Sequence, residues 1–348
     1  WRCAMLLSYC WWFIYWRLVC SMAVLSFTSN SKTIMKKGLS RFCVAVLVVL
    51  AMATVVDVTV GKVMDWMLPQ ISNQGDTGKT YYSLNDVHTP VVIVGSSRAA
   101  HHYVTQIIED SLGMPAYNVA RDGCFFSYNC CVVNSILDRY TPKLIIWENG
   151  TEYLFDGFND PLENLYPYYE KNPWVTSAIQ EELPWTEYAR LNSRIYQYNS
   201  IIHRILMRYR GRNSFVDETE KGYLPLQPKK LKKQLELKQE ELNCTELSKT
   251  KVERFKATLS RAKEKGVKVV VVDSPMYRIC DMNNKSAVEM QKICKMYGAL
   301  FLNNSQLPEF VEHKEFFNDP THMNTKGAVP YTKMFLNQIK NYLINNML

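Results

Sequence analysis

The sequence lacks the residue patterns of several common classes of protein. None of its ten cysteines forms a Cys-x-x-Cys pair, and no Cys/His group has the spacing of zinc ligands, so no metal site is expected. A phosphate-binding loop is also missing, because Asn73 stands where the motif that would end in Gly78-Lys79-Thr80 needs glycine. No cofactor is expected either. A disulfide between Cys280 and Cys294 stays open, since sequence does not establish cysteine connectivity.

Acidic residues are absent from the first 56 positions, which contain six basic residues. The rest of the chain has 35 basic and 33 acidic residues, a balance too close to neutral for a nucleic-acid-binding protein. The composition, 47% hydrophobic and 21% charged, excludes a disordered chain. The excess positive charge therefore indicates membrane targeting, and no nucleic-acid partner is expected.

A basic segment followed by an apolar run dominates the N-terminal region. Met35–Arg41 precedes Phe42–Val56, which is the order of an export signal. Ala51-Met52-Ala53 offers a cleavage site, but the apolar character persists to Val60, and this length favours an uncleaved membrane anchor. The positive-inside rule keeps the basic segment in the cytoplasm. Everything after about residue 60 is then expected outside the cytoplasmic membrane.

The first 34 residues allow two interpretations. They are nearly all apolar from Met5 to Phe27, so they are either a first of two membrane spans or sequence upstream of a true start at Met35. The chain is accordingly divided into a membrane-targeting region at 1–60, a polar, turn-rich stalk at 61–88 and a folded domain at 89–348.

Short apolar runs alternate with helical stretches after Pro90. Three almost continuously apolar, β-branched runs are typical of buried parallel strands: 91–94, 144–147 and 267–272. Helices are predicted near 99–112, 126–140, 246–265, 286–297 and 327–345. This alternation predicts an α/β fold with a doubly wound parallel sheet in three layers. Because such sheets bind ligands beyond the carboxyl ends of their strands, the residues after each strand are the candidates for a functional site.

A serine turn follows the first predicted strand. Gly95-Ser96-Ser97-Arg98 leads into the helix that begins near Ala99. A serine at such a turn exposes its hydroxyl, and the helix N-terminus offers N–H groups to a developing oxyanion. The competing interpretation makes Ser96 and Ser97 ordinary N-caps of the helix.

The second candidate segment lies near the C-terminus. Asp319 and His322 are three residues apart in Asn318–Asn324, before the last predicted helix. At this spacing the carboxylate can hold one imidazole nitrogen and leave the other to take a proton from a serine. Together with Ser97, they predict a catalytic triad in the chain order Ser, Asp, His.

Residues 89–345 resemble the SGNH/GDSL hydrolase superfamily in its bacterial, membrane-anchored, envelope-modifying branch. The first block of that family is a strand followed by Gly-Asp-Ser-Leu, and its last block is Asp-x-x-His before a C-terminal helix. The resemblance implies that Ser97 is the nucleophile, that His322 is its base and that Asp319 orients the base. Ser96 stands at the family's Asp position, a variant found in this branch.

The two middle blocks of the family concern the oxyanion hole. Tyr117–Gly123 is similar to the second block, which implies that the N–H of Gly123 joins that of Ser97 as a donor. The third block, Gly-x-Asn-Asp, is altered: either Glu152 replaces its Asn, or Asn149 supplies the amide from a shifted turn. Because an ionised carboxylate cannot donate a hydrogen bond, a hole without the third donor is about 10²–10³-fold less effective.

An insertion rich in aromatic residues is predicted at about 153–228, after the third block and on the same side as the site. Its rings, interrupted by prolines, indicate either a lid or sugar-stacking wall, or a smaller core that covers the sheet, and the packing interpretation is favoured. Arg98, Glu152 and Tyr153 are predicted to contact the substrate.

These features predict a serine esterase acting on acyl, and in particular acetyl, esters of extracytoplasmic carbohydrate. Two alternatives stay open: an O-acyltransferase of envelope or capsular polysaccharide, and a catalytically weak polysaccharide-binding or scaffold protein of the same fold. The expected partners are an acylated carbohydrate or small ester and the membrane. The sequence does not indicate an oligomeric state.

Overall fold

The computed structural model describes residues 32–211, 221–229, 235–239 and 246–347. The first span considered for residues 1–34 therefore lies almost entirely outside the described residues. The centre of the fold is a five-stranded, all-parallel sheet with the order β2-β1-β3-β4-β5. Its strands are β1 (Val91–Val94), β2 (Ala116–Asn118), β3 (Leu144–Glu148), β4 (Lys268–Asp273) and β5 (Leu300–Asn303). The α/β class with a parallel sheet is confirmed.

Helices surround this sheet on both faces. In chain order they are α1 (Lys32–Met67), α2 (Gly75–Asn85), α3 (Ser97–His102), α4 (Thr105–Leu112), α5 (Phe126–Arg139), α6 (Pro173–Glu182), α7 (Trp185–Arg190), α8 (Arg194–Tyr198), α9 (Ile202–Tyr209), α10 (Lys249–Glu264), α11 (Lys285–Tyr297), α12 (Pro308–Val311) and α13 (Thr325–Met347). Alternate strand residues enter two hydrophobic clusters: Val92 and Val271 pack with α5 and α10, and Val91 and Val270 pack with α4 and α13. Burial on both faces explains the continuous apolar runs.

The helix predicted at 99–112 is divided into two. Tyr103 ends α3 in an extended conformation, and the backbone N–H of Val104 donates to Thr332 Oγ1 of α13 at 3.0 Å. A contact with a distant helix thus replaces a hydrogen bond within the predicted helix. Two strands, β2 and β5, were not predicted.

The predicted stalk at 61–88 is wrong, because this segment is helical and packed onto the domain. It contains the end of α1, a 3₁₀ turn at Leu68–Ile71 and α2. Met64, Ile71 and Leu84 are buried in the first hydrophobic cluster. Several of the polar residues that suggested a stalk are buried, among them Thr77, Lys79 and Thr80, and Lys79 Nζ donates to the Gly222 carbonyl at 2.8 Å.

Helix α1 joins the domain without a break. The carboxylate of Asp57 accepts hydrogen bonds from Ser193 Oγ at 2.6 Å and from the backbone N–H groups of Arg194 and Ile195 at 2.8 and 2.9 Å. It therefore caps the N-terminus of α8. Two turns later, Asp65 pairs with Lys171 and with Arg194.

The N-terminal part of α1 is exposed and apolar. It is long and apolar enough to cross a membrane, with a mean hydropathy of 2.6 over its most apolar window and none of that window buried. By length and composition, α1 is a candidate membrane span.

The described part of the aromatic-rich insertion contains several short helices. It contains a 3₁₀ turn at Glu163–Tyr168 and helices α6 to α9. The rings of Tyr166, Tyr168 and Tyr198 belong to the first hydrophobic cluster, as the packing interpretation predicts. Cys280 and Cys294, the pair considered for a disulfide, are not bonded to each other.

Candidate active site

Ser97 occupies a tight turn between β1 and α3. Gly95 has a φ of +156°, and a Cβ there would lie 2.6 Å from Ala99 Cβ and 2.8 Å from Glu148 Cβ, so only glycine allows this close approach of the turn to β3. Ser97 is the first residue of α3. Ser96 stands at the N-cap, but its side chain makes no capping hydrogen bond. The N-cap interpretation of Ser96 is therefore not supported.

Asp319 and His322 lie on the loop that precedes α13. The loop is closed by an antiparallel bridge between Phe317 and Met323. Asp319 Oδ1 accepts hydrogen bonds from the backbone N–H groups of Thr321 and His322 at 2.8 and 2.9 Å. These two bonds orient the carboxylate independently of its contact with the imidazole.

The structure brings Ser97, His322 and Asp319 together. Ser97 Oγ lies 2.6 Å from His322 Nε2, and His322 Nδ1 lies 2.9 Å from Asp319 Oδ2. Because an ionised carboxylate only accepts hydrogen bonds, Nδ1 carries the proton and Nε2 presents its lone pair to the serine hydroxyl. This arrangement can remove the hydroxyl proton as Ser97 attacks an electrophilic carbon.

Asp319 is held in its ionised form. Partial burial raises the pKa of this carboxyl, but its hydrogen bonds with His322 and with the Thr321 N–H outweigh burial, and the pKa lies below its ordinary value of 3.8. A depressed pKa means that Asp319 stabilises the folded chain above about pH 4 and loses this effect as the pH falls through its folded-state value.

Asp319→Asn is accordingly expected to lower the urea midpoint at about pH 7, where the carboxylate is charged. The difference from wild type is expected to shrink as the pH falls below about 4 and through the lowered pKa of Asp319. The two urea midpoints are measured at a series of pH values, with tryptophan fluorescence as the signal for unfolding. A difference that does not change with pH would contradict the assigned charge.

The loop after β2 lies against the serine turn. The N–H of Arg121 donates to the carbonyl of Gly95 at 3.2 Å, which ties this loop to the residue two before Ser97. Gly123 follows in a left-handed conformation, with a φ of +68°. It is exposed, and a Cβ at this position would contact nothing within 4 Å.

A second histidine connects the same loop to the imidazole of His322. His101 Nε2 lies 3.6 Å from Asp122 Oδ2, and its ring packs edge-on against His322 with 5.4 Å between centroids. Asp122 precedes Gly123 directly. The structure thus brings Gly123 to the neighbourhood of the triad, on the side of His101.

Asn149 is directed elsewhere. Its side chain is fully buried, and its amide Nδ2 contacts Met290 Sδ at 3.7 Å. The backbone N–H of Asn149 donates to the Val272 carbonyl at 2.8 Å. The expected role of Asn149 as an oxyanion donor is therefore corrected, because the amide points into the hydrophobic cluster around α11.

Arg98 is not available to a substrate, contrary to the prediction. It is 3% exposed and forms ion pairs with Asp273 and, at 3.2 Å, with Glu148. Both carboxylates have further donors: Tyr103 Oη bonds to Glu148 at 2.6 Å, and the N–H of Thr151 bonds to Asp273 at 3.1 Å. Burial raises the pKa of Glu148 to about 7 against the opposing effect of Arg98. Arg98 therefore holds β3, β4 and α3 together.

The other two predicted substrate contacts also have internal partners. Glu152 pairs with Arg278 at 3.3 Å and is 15% exposed. Tyr153 is 5% exposed, and its ring packs against Phe125 and Phe158 with centroids 5.5 and 4.7 Å away. Tyr153 is a core residue, and Glu152 is held in an ion pair with Arg278.

Two residues that the sequence did not point to, His102 and Ser274, lie behind the segments that carry the triad. His102 and Ser274 are fully buried, and His102 Nδ1 lies 2.8 Å from Ser274 Oγ. Asp273 is the last residue of β4, and Ser274 follows it. Ligands bind beyond the carboxyl ends of the strands in such sheets, so these two positions were candidates for the same reason as Ser97. Within the described ranges, no group of three or more His, Cys, Asp or Glu side chains is arranged to hold a metal ion.

Comparison with known proteins assigns no family: no protein-family model matches the chain, and no curated protein sequence is significantly similar to it.

Proposed function

We propose that the chain is a serine esterase similar to the SGNH/GDSL hydrolases, acting on acetyl or other small acyl esters of carbohydrate. The observation that carries the proposal is the hydrogen-bonded series Ser97–His322–Asp319, with 2.6 Å between Ser97 Oγ and His322 Nε2 and 2.9 Å between His322 Nδ1 and Asp319 Oδ2. A serine, a base and an orienting carboxylate at these distances form the arrangement used for acyl transfer on unrelated folds.

In the proposed mechanism, Ser97 Oγ attacks the acyl carbon while His322 Nε2 takes the hydroxyl proton. The N–H groups of Ser97 and Gly123 stabilise the oxyanion. His322 then gives its proton to the departing sugar oxygen, which leaves an acyl-serine. Water gives a proton to His322 and attacks this ester. The tetrahedral intermediate then collapses, which breaks the bond to Ser97 Oγ and releases the acid, while His322 returns the proton to Ser97 Oγ.

The order of the sheet supports the finer fold assignment. β2 lies on one side of β1, while β3, β4 and β5 follow on the other. In doubly wound sheets with this strand order, ligands bind where the order reverses, between β1 and β3. Ser97 lies directly beyond the carboxyl end of β1, and the turn that carries it packs on Glu148 at the end of β3.

The exposed apolar helix supports a membrane anchor. We assign α1 as the single described span, with Lys36, Lys37 and Arg41 on the cytoplasmic side under the positive-inside rule. The domain that begins after this helix then lies outside the cytoplasmic membrane, where acylated envelope polysaccharide would be its substrate.

One observation favours a catalytically weak carbohydrate-binding protein as the second candidate. Asn149 turns its amide to Met290 and Glu152 pairs with Arg278, so the third block contributes no side-chain donor to the oxyanion. A missing donor costs about 10²–10³ in rate, which slows an esterase without removing its nucleophile. The intact Ser97–His322 contact favours the enzyme.

Labelling with a fluorophosphonate probe tests the proposal. The full-length protein in detergent is expected to form one adduct, located on Ser97 by mass spectrometry, and Ser97→Ala is expected to form none. Ser96→Ala is the matched control, because Ser96 Oγ is buried and makes no hydrogen bond in the described structure. An unreactive wild type, or equal labelling of Ser97→Ala, would exclude the mechanism.

The fate of the acyl group separates the esterase from the acyltransferase. An O-acetylated oligosaccharide is incubated with the protein, with and without an unacetylated oligosaccharide acceptor. The esterase releases acetate at the same rate in both cases. Acetyl groups on the acceptor would instead identify the transferase, which uses a sugar hydroxyl in place of water.

A further inference from the structure

His102 lies between the serine helix and the loop of His322. It is the last residue of α3, which begins with Ser97, and it is fully buried. Its Nε2 lies 2.9 Å from the backbone nitrogen of Met323, and its Nδ1 lies 2.8 Å from Ser274 Oγ. Met323 directly follows His322. One side chain therefore connects the two chain segments that carry the reacting atoms.

The bond to Met323 fixes the tautomer of His102. A backbone N–H can only donate, so Nε2 must accept and carry no proton. The single proton of the neutral ring is then on Nδ1 and is donated to Ser274 Oγ. A ring with the proton on Nε2, or on both nitrogens, would lose the bond to Met323.

Ser274 extends this connection back to the serine turn. Its carbonyl accepts a hydrogen bond from Arg98 Nη1 at 3.2 Å, and Arg98 directly follows Ser97. The N–H of Ser274 donates to Glu148 at 3.2 Å, and Arg98 pairs with Asp273. A buried polar network therefore begins one residue after Ser97 and ends one residue after His322.

We propose that His102 is a positioning residue whose Nε2 holds the Met323 N–H and thereby sets the distance between His322 Nε2 and Ser97 Oγ. This inference rests on the proposed esterase function. Asp319 contacts the imidazole of His322 through Nδ1, and His102 holds the backbone of the next residue, Met323. The position of His322 is therefore set both by its side chain and by its backbone. Errors of about 1 Å in such a contact cost about 10²-fold in rate.

The surroundings of His102 favour the neutral ring that this role requires. Burial lowers the pKa of His102 well below its ordinary value, and the charge of Arg98 and the neighbouring His322 and His101 lower it further, against the Thr321 carbonyl, which raises it. Protonation would place a second cation beside Arg98.

Two carboxamide substitutions separate the two hydrogen bonds of His102. His102→Gln can place an oxygen near the position of Nε2 and is expected to keep the Met323 bond. His102→Asn reaches only the Nδ1 position and is expected to keep the contact with Ser274 but lose the one with Met323. Both variants remove the ring and leave a buried amide, so each serves as the control for the other.

The rate of fluorophosphonate labelling and kcat and KM for p-nitrophenyl acetate are measured on the full-length protein. His102→Asn is expected to lose about 10²-fold in labelling rate and kcat with KM little changed, and His102→Gln to retain about a tenth or more of both. Ser274→Ala, which removes the Nδ1 contact and leaves the Met323 bond in place, is expected to lose clearly less than His102→Asn. Equal losses in the Gln and Asn variants, or a loss in Ser274→Ala as large as that in His102→Asn, would overturn the proposal.

Hydrogen exchange gives a readout that does not depend on activity. The Met323 amide is expected to exchange faster in His102→Asn than in His102→Gln, while the amides of β3 remain protected in both. If the wild type does not react with the probe, the esterase proposal fails, and this exchange still decides whether His102 holds the loop. Equal protection of Met323 in both variants would refute the positioning role.

Discussion

Replacing His322 with alanine is expected to lower kcat for an acetyl ester by about 10⁶-fold, and adding Ser97→Ala is expected to cost nothing more. The serine hydroxyl becomes a nucleophile only as its proton moves to Nε2, 2.6 Å away, so either substitution removes the same step. Residues that act as one unit show this lack of additivity.

Steady-state hydrolysis of p-nitrophenyl acetate by the two single variants and the double variant measures the effect. His203→Ala is the matched control, because His203 is an exposed histidine on α9, and its activity is expected to equal that of wild type. Losses that multiply in the double variant would show that Ser97 and His322 act independently, contrary to the proposed mechanism.

Arg98→Met is expected to destabilise the fold by about 3–5 kcal/mol, because it leaves two buried carboxylates without their shared cation. Glu148 and Asp273 are 2% and 0% exposed, so water cannot replace the guanidinium. Methionine keeps the length and apolar volume of the side chain, which limits the effect to the lost charge and hydrogen bonds.

Urea unfolding of the full-length protein, followed by tryptophan fluorescence, measures this loss. Arg190→Met is the control: Arg190 is 62% exposed and pairs with Glu187 on the same helix, and no resolvable change in midpoint is expected. A midpoint of Arg98→Met equal to that of wild type would mean that the Asp273–Glu148 network is not structural, and would restore Arg98 as a candidate substrate contact.

The central strands could be predicted from the sequence, whereas the edge strands could not. β1, β3 and β4 lie inside the sheet and are buried on both faces, which requires continuous apolar residues. β2 and β5 lie at its edges. Their sequences, Ala-Tyr-Asn and Leu-Phe-Leu-Asn, contain no β-branched residue and end in Asn118 and Asn303, so neither has the β-branched apolar pattern of the central strands.

The candidate triad could be located because its residues lie in two short segments, the turn of Ser97 and the loop of Asp319 and His322, and each segment has a recognisable local pattern. The network behind it could not, because its partners are 172 and 221 positions from His102. Arg98 shows the same limit. Its place beside Ser97 suggested a substrate contact, but the helix turns this side chain toward Asp273, which is 175 positions away.

Because α1 continues into the domain, the proposed anchor limits the distance from the membrane at which Ser97 can meet a substrate. The helix has 36 residues, about 54 Å at 1.5 Å per residue, of which a bilayer core occupies about 30 Å. Asp65, which pairs with Arg194 of α8, fastens the part of the helix beyond that core to the domain, so no flexible linker separates the proposed span from the sheet. For the proposed membrane-anchored esterase, lateral diffusion, and not bending of a linker, would bring Ser97 to new esters, and its substrates would be the esters at one fixed height above the lipid surface.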